Sequence, residues 1–417
     1  MSLASDHPVT IIGGGIVGIC CALSLAEKGV AVRIIDRDEP GQGASHGNAG
    51  VISPWSCVPQ SMPGLWKNIP KWLLDPAGPV AVKPGHLFNV LPWAMRFLRE
   101  GRADRVPAIA EAMDALVRPN VDLYRHHLSG TGQDDLLRNS WYVHVYRDAR
   151  AADLNDLGWR LRTERGAPIE VIDANQLREI EPDLSTDYQA AILIKDQARA
   201  LSPGRIGKAL AEKVLSMGGE IVRSAVHNLR PVDGVWRIMT DDGELTAPRV
   251  VVAAGAWSAR LLEPLGTRID LQPERGYHLL FRDPGVRLNN SVMETDAKFV
   301  TSTMDTGLRS AGTAEFASLD ATPNYRRARM LAKQTKRMLP GLNVEDTEEW
   351  MGIRPSLPDS LPCIAEVPGH RGLFAAFGHS HYGLGMAPMT GRVIADLVTD
   401  MQPNLDLAPY RIDRFSA

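Results

Sequence analysis

The sequence predicts an α/β protein built from two interleaved units, and three observations predict it. Val9–Gly50 reads as strand, glycine turn, helix and strand. Arg249–Ala254 reads as a further apolar strand that runs into Gly255-Ala256-Trp257-Ser258. Residues 265–346 change character, to strands near Tyr277–Phe281, Val292–Glu294 and Phe299–Thr303 followed by a helix Tyr325–Leu339. The first two describe a Rossmann-like sheet that binds a dinucleotide. The third describes an α+β unit with a mixed or antiparallel sheet of its own. The expected division gives 1–60, 150–264 and 347–417 to a discontinuous dinucleotide domain. It gives 61–149 and 265–346 to a substrate domain.

In the first stretch, Val9, Ile11 and Ile12 make a short strand, and Gly13, Gly15 and Gly18 follow in the spacing G-x-G-x-x-G. The first glycine permits a tight turn, the second lets the backbone approach a pyrophosphate, and the third lets helix pack on strand. The helix Ile16–Glu27 points its N-terminal N–H groups, at Ile16 and Val17, toward that pyrophosphate. Gly29 ends the helix, Val30–Ile35 is the second strand, and Asp36 stands at its end. Asp36 lies 36 − 18 = 18 residues after the last glycine, close to the spacing of a carboxylate on an adenosine ribose. Val9–Ala26 is uncharged, but its four glycines and the lack of a preceding basic residue argue against a membrane span or signal peptide.

The chain has 417 residues, enough for two or three domains. A net charge of −3 gives no basic surface for nucleic acid. Of the four cysteines, Cys20, Cys21, Cys57 and Cys363, none forms a C-x-x-C pair, so neither a metal site nor a redox dithiol is indicated. Cys20 and Cys21 read as core fillers, and the setting as reduced and cytoplasmic.

Residues 41–54, GQGASHGNAGVISP, are small enough to thread between a flat cofactor and the protein. His46 in this loop reads as a polar loop residue, with covalent flavin attachment as the rival reading. Residues 55–100 concentrate Trp55, Trp66, Trp72 and Trp93 in an apolar, proline-broken excursion. It reads as a lid or domain contact, and alternatively as peripheral contact with the inner face of a membrane. Residues 103–128 suggest one long helix, Trp141–Tyr146 a strand, Leu154–Arg165 and Ala174–Ile180 helices, and Ala191–Lys195 a strand. Pro203–Met217 reads as a helix capped by Ser202, and Gly219–Val226 as one strand. Val235–Thr240 and Glu244–Ala247 pair around Asp242-Gly243. Near the end, a strand Leu373–Ala376 leads through a glycine loop into a helix Ala387–Val398.

Four blocks together carry a resemblance: GGGIVG with Asp36, GNAGVISP at 47–54, VVAAGAWS at 251–258, and GIRPSLPDSLP at 352–362 with GHSHYGLGMAP at 378–388. They span nearly the whole chain. The sequence resembles the D-amino acid oxidase-like FAD oxidoreductases, most closely the bacterial D-amino acid dehydrogenases. The resemblance implies a glutathione-reductase-type FAD domain and oxidation of a C–N bond. For FAD it implies contacts from Gly13, Gly15, Ile16, Val17, Gly18, Asp36 and Arg37. It adds Ser45, Asn48, Ala49, Gly50, Val226, Ala254 and Gly255, and then Gly383, Leu384, Gly385 and Met386. Arg354 resembles the family's carboxylate-binding arginine, with Pro355 fixing its loop.

A bidentate arginine suits capture of an amino acid carboxylate, and hydride transfer then depends mainly on positioning. Arg275 is a second candidate anchor, and Tyr277 or His278 would shape the pocket. His379, His381 and Tyr382 would lie near the flavin or the pocket mouth, and no general base is assigned. The segment Gly352–Pro358 contains no cysteine, so FAD is expected to be non-covalent, and Cys363 reads as packing. The expected reaction is oxidation of a D-amino acid, or of a cyclic imino acid such as hydroxyproline. Electrons would pass to a quinone, a respiratory carrier or oxygen. The rival readings are a glycine or sarcosine-type N-methyl amino acid oxidase or demethylase, and an FAD-carrying subunit of a hetero-oligomer.

Overall fold

The computed structural model describes residues 7–75 and 78–415. Two sheets organise it. The smaller has six strands, in the order Cys363–Glu366, Leu373–Phe377, Val250–Val252, Val9–Ile12, Val32–Asp36 and Glu220–Arg223. All neighbours are parallel except the first pair. Parallel strands need cover on both faces, and their near-continuous apolar runs supply it. Successive side chains point to opposite faces. Ile11, Ile34, Val251 and Phe374 therefore join one core, and Ile12, Ile35, Val252 and Ala375 join another. The first core lies under the helices Ile16–Glu27, Pro203–Ser216 and Gly383–Val398. The second lies under a three-stranded sheet that contributes Trp236 and Ile238.

The Ile16–Glu27 and Gly383–Val398 helices approach closely because glycine stands at the contact. A Cβ on Gly391 would fall 2.4 Å from the Cys20 carbonyl oxygen. Gly18 has the same kind of reason, since a Cβ there would fall 1.9 Å from the Gly13 carbonyl oxygen.

The larger sheet has ten strands. At one end Thr347–Ser356 pairs with Gln272–Phe281, which pairs with Gly307–Phe316. Farther along, Leu137–Tyr146 pairs with Ala190–Ala200. The Arg326–Met338 helix covers its far face through Leu331 and Met338, packed on Leu279, Phe281 and Leu308. Ser356, the last residue of its strand, makes a bridge to His379 just beyond the small sheet's Leu373–Phe377 strand. That bridge joins the two sheets at the site described below.

Several expectations move. The helix expected over 103–128 is two helices, Val106–Val117 and Asn120–Leu128, parted at Pro119, whose ring lacks the N–H an uninterrupted helix needs. Gly219–Val226 splits into Glu220–Arg223 in the six-stranded sheet and Val226–Val232 in the three-stranded one. Ser202 caps its helix without a side-chain hydrogen bond. The final helix begins at Gly383, not Ala387, so the glycine loop is its first turn. The segment around Arg354 and Pro355 is a strand of the larger sheet rather than a loop of the dinucleotide domain. Ile169–Asp173 and Ala190–Ala200 also pair in the larger sheet, although the expected division placed 150–264 with the smaller one. Alternation of apolar residues locates a strand, but only pairing decides which sheet it joins.

Candidate active site

The glycine turn can be read residue by residue. Gly13 has φ +117°, and a Cβ there would fall 2.3 Å from the Ala253 carbonyl oxygen. Gly15 differs from Gly13 and Gly18. A Cβ on it would meet only the Ser45 hydroxyl oxygen, at 3.7 Å. The protein's own packing therefore does not require glycine at 15, and the space before it is open. No acidic side chain stands in the first turn of the helix that follows. An open approach in front of a helix N-terminus fits a pyrophosphate.

Ser45 Oγ accepts a hydrogen bond from the Ile16 N–H at 3.1 Å, which ties the 41–54 loop to this turn. Asp36 accepts from the Gly14 N–H at 2.5 Å and the Asp38 N–H at 2.9 Å. Arg37 stacks its guanidinium 4.1 Å from the Trp257 ring. Val17 is half-buried against the first core, and Val226 and Ala254 pack at the edge of the second. Gly255 has φ +55° and open space where a side chain would stand.

The 41–54 loop is fastened to the larger sheet. Arg309 donates to the carbonyls of His46 and Asn48 at 2.8 and 2.9 Å. Asn48 Oδ1 accepts from the Gly50 N–H, and Ala49 between them is half-buried. The His278 ring stacks on Trp350 at 4.9 Å and contacts the Gly47 carbonyl at 3.1 Å. A Cβ on Gly47 would fall 1.9 Å from the Trp350 ring, so this glycine is explained by the indole.

A cluster of charged and polar side chains lies on one face of the paired strands Gln272–Phe281 and Thr347–Ser356. Their register puts Glu274 opposite Arg354, Gly276 opposite Gly352, and His278 opposite Trp350. Alternation makes these six residues share a face. Arg354 Nη1 donates to Glu274 Oε1 at 2.8 Å and to the Thr313 carbonyl at 3.1 Å. The guanidinium lies over Gly276, where a Cβ would fall 2.1 Å from Nη2. Glu274 is buried, accepts from the Ser356 hydroxyl at 2.6 Å, and meets His381 Nε2 at 2.5 Å. Burial alone would raise its carboxyl pKa, but His381, Arg354 and Ser356 outweigh burial and hold it at about 2.

The first turn of the Gly383–Val398 helix closes this region. His381 keeps its outer edge exposed, and its pKa is pushed down by desolvation and by Arg354 against the pull of Glu274. The Tyr382 hydroxyl donates to the Val58 carbonyl at 2.7 Å. His379 is buried against the Thr390 hydroxyl at 3.0 Å and held neutral, its pKa lowered to about 3 by burial. Leu384 and Met386 turn their side chains into the first core, so Gly383–Met386 can offer a ligand only backbone. This first turn contains no acidic side chain and no side-chain cap, which leaves its N-terminus suited to an anionic group.

Two expected pocket residues lie elsewhere. Tyr277 and Arg275 occupy the opposite face of their strand from Glu274 and Gly276. The Tyr277 hydroxyl donates to Glu315 at 2.5 Å and accepts from the Asn324 N–H at 2.9 Å. Arg275 is fully buried and donates to the carbonyls of Ser318, Ala321 and Thr322. It holds a turn and is no second anchor. Sequence reasoning missed Glu274, the residue next to Arg275. Its signal was the alternation Glu274, Gly276, His278, which becomes readable once the Arg354 strand is set beside it.

The residues present thus fit a dinucleotide cofactor: an open glycine approach, two helix N-termini without acidic first turns, and a loop tied to both sheets. Comparison with known proteins identifies it. Residues 8–397 match the family model described as FAD dependent oxidoreductase. The chain belongs to the FAD-dependent oxidoreductase family. Over 415 residues it is 37% identical to a D-amino-acid oxidase of Bradyrhizobium diazoefficiens, with 98% of each chain covered. It is 27% identical to a D-amino acid dehydrogenase of Rhizobium rhizogenes, covering 98% of this chain and 99% of that one. Among solved structures, glycine oxidase from Geobacillus kaustophilus superposes with a TM-score of 0.74 at 23% identity, covering 98% of each chain. At that identity the likeness speaks for the fold. The chain is accordingly an enzyme, with FAD as its cofactor.

Proposed function

We propose that this enzyme oxidatively deaminates a D-amino acid, with Arg354 receiving the substrate carboxylate. One observation carries the reading: a guanidinium held over a glycine gap, by a buried ionised glutamate, at the junction of the two sheets. The name of the Bradyrhizobium relative, at 37% identity over nearly the whole chain, supports the substrate class. Bound FAD supplies the acceptor for the hydride that leaves Cα.

The chain's own residues bind and orient. Arg354 offers a planar fork to the carboxylate. Glu274 engages one of its nitrogens and limits its rotation, which makes Glu274 a positioning residue. Gly276 leaves the guanidinium its place. His381 and Tyr382 line the mouth, and the backbone of Gly383–Met386 gives the cofactor N–H donors at a helix N-terminus. FAD is held without a covalent bond: Gly352–Pro358 lacks cysteine, and Cys363 is buried in the second core.

Electrons then pass to a quinone or respiratory carrier, or to oxygen: the Rhizobium relative's name, a dehydrogenase, supports the first, and the Bradyrhizobium relative's name, an oxidase, supports the second. Anaerobic bleaching of the flavin absorbance tests the substrate class, using D-, L- and N-methyl amino acids and cyclic imino acids. The proposal expects bleaching by D-amino acids. Bleaching by N-methyl or L-amino acids alone overturns it.

A further inference from the structure

One surface has no part in the site just described. The helix Leu87–Glu100 exposes Leu87, Phe88, Leu91 and Met95, with Phe88 85% accessible. At about 100° per residue these four fall within an arc of about 100°. Val90, Trp93 and Phe97 occupy the opposite side, where Trp93 and Val90 are buried. Trp93 packs on Phe316 and donates to the Ser356 carbonyl at 3.2 Å. The helix is thus fixed by its inner face while a continuous apolar stripe looks outward. The same excursion also exposes Trp66, Leu73 and Leu74.

The charge of this region differs from that of the chain. Residues 61–100 carry Lys67, Lys71, Lys83, Arg96 and Arg99 against Asp75 and Glu100, a net +3, whereas the whole chain is −3. On the helix, Arg99 flanks the apolar stripe and is exposed. Lys67 and Lys71 are exposed beside Trp66 and Leu73. No helix among the described residues is long and apolar enough to cross a membrane. An apolar stripe with basic flanks and no spanning length is the pattern of a helix that lies in a membrane interface.

We propose that the outer face of Leu87–Glu100 docks this enzyme on an anionic lipid surface. The proposal builds on the reading in which electrons leave to a membrane carrier, and it assigns the surface that would bring the enzyme there. The inner face of the same helix touches Ser356, which bonds Glu274, so the docked surface and the site share one element. A basic flank favours lipid over a second copy, since two such faces would bring like charges together.

Flotation of the purified holoenzyme with vesicles separates the outcomes. Wild type is expected to float with phosphatidylglycerol-containing vesicles, weakly with pure phosphatidylcholine, and less at high salt. Phe88→Glu with Leu91→Glu should reduce flotation at least about tenfold. Turnover with a soluble dye acceptor should stay unchanged, because neither side chain reaches the site. No flotation of wild type, or equal flotation of the double variant, overturns the proposal. A concentration-dependent dimer that the double variant abolishes, with no vesicle binding, also overturns it and assigns the face to a second copy. Vesicle binding is read without turnover, so it stands or falls separately from the substrate class.

Discussion

Arg354 is controlled by what stands on either side of it. Glu274 and the Thr313 carbonyl hold one nitrogen, and Gly276 leaves room beneath the fork. A charged hydrogen bond is worth about 1.5–3 kcal/mol. Arg354→Ala should therefore lower kcat/KM for an amino acid by at least about tenfold to a hundredfold. Arg354→Lys should fall between, since it keeps charge and loses the fork. Flavin content should stay normal, and the matching amines without a carboxylate should be indifferent. Near-normal kinetics in Arg354→Ala would move the anchor elsewhere. Gly276→Ala is the sharper test of geometry. Its methyl would press on the end of the Arg354 side chain rather than on backbone, so the fold should survive while kcat/KM drops about tenfold. A Gly276→Ala enzyme with unchanged kinetics would mean that the guanidinium sits elsewhere when substrate binds.

At the scale of elements, the glycines separate into those the protein needs and those a ligand needs. A side chain on Gly391 would meet the Cys20 backbone, with no space to yield. Gly391→Ala should cost about 1–3 kcal/mol, seen as a lower Tm, because the two helices must part. A side chain on Gly15 meets only Ser45 within the protein. Gly15→Val should therefore fold, with its circular dichroism spectrum intact, yet bind no FAD. Normal flavin stoichiometry in that variant would sink the phosphate-approach reading. Loss of folding would show instead that this turn is needed by the chain itself.

At the scale of the whole molecule, the junction between the sheets carries a pH dependence. Glu274 is a carboxyl whose folded pKa, about 2, lies below its ordinary 4.5. A lowered carboxyl contributes stability that is present above the ordinary value and is lost as pH falls through the folded one. The window is thus from about pH 4.5 down to about 2. Glu274→Gln should lower Tm at neutral pH, and its gap from wild type should close as pH drops through that window. A gap that stays constant with pH would show that the ion pairs do not stabilise the fold.

The sequence by itself determined the dinucleotide half. Strand, turn, helix, strand and terminal acid lie within about 30 contiguous residues of a βαβ unit, so local periodicity and glycine spacing suffice to read them. Arg354 could be put forward for a similar reason, because it stands in a block that keeps its residues together. What only the tertiary structure decided depends on pairing between strands far apart in the chain. Residues 274 and 354 are brought together by register, and a one-residue change in parity separates a residue that meets Arg354 from one that holds a turn. That is why Glu274 was passed over while Arg275 and Tyr277, on the other face, were put forward. Pairing likewise placed the Arg354 strand and Ala190–Ala200 in the larger sheet. Alternation fixes which residues share a face of one strand, but the partner strand decides what that face meets.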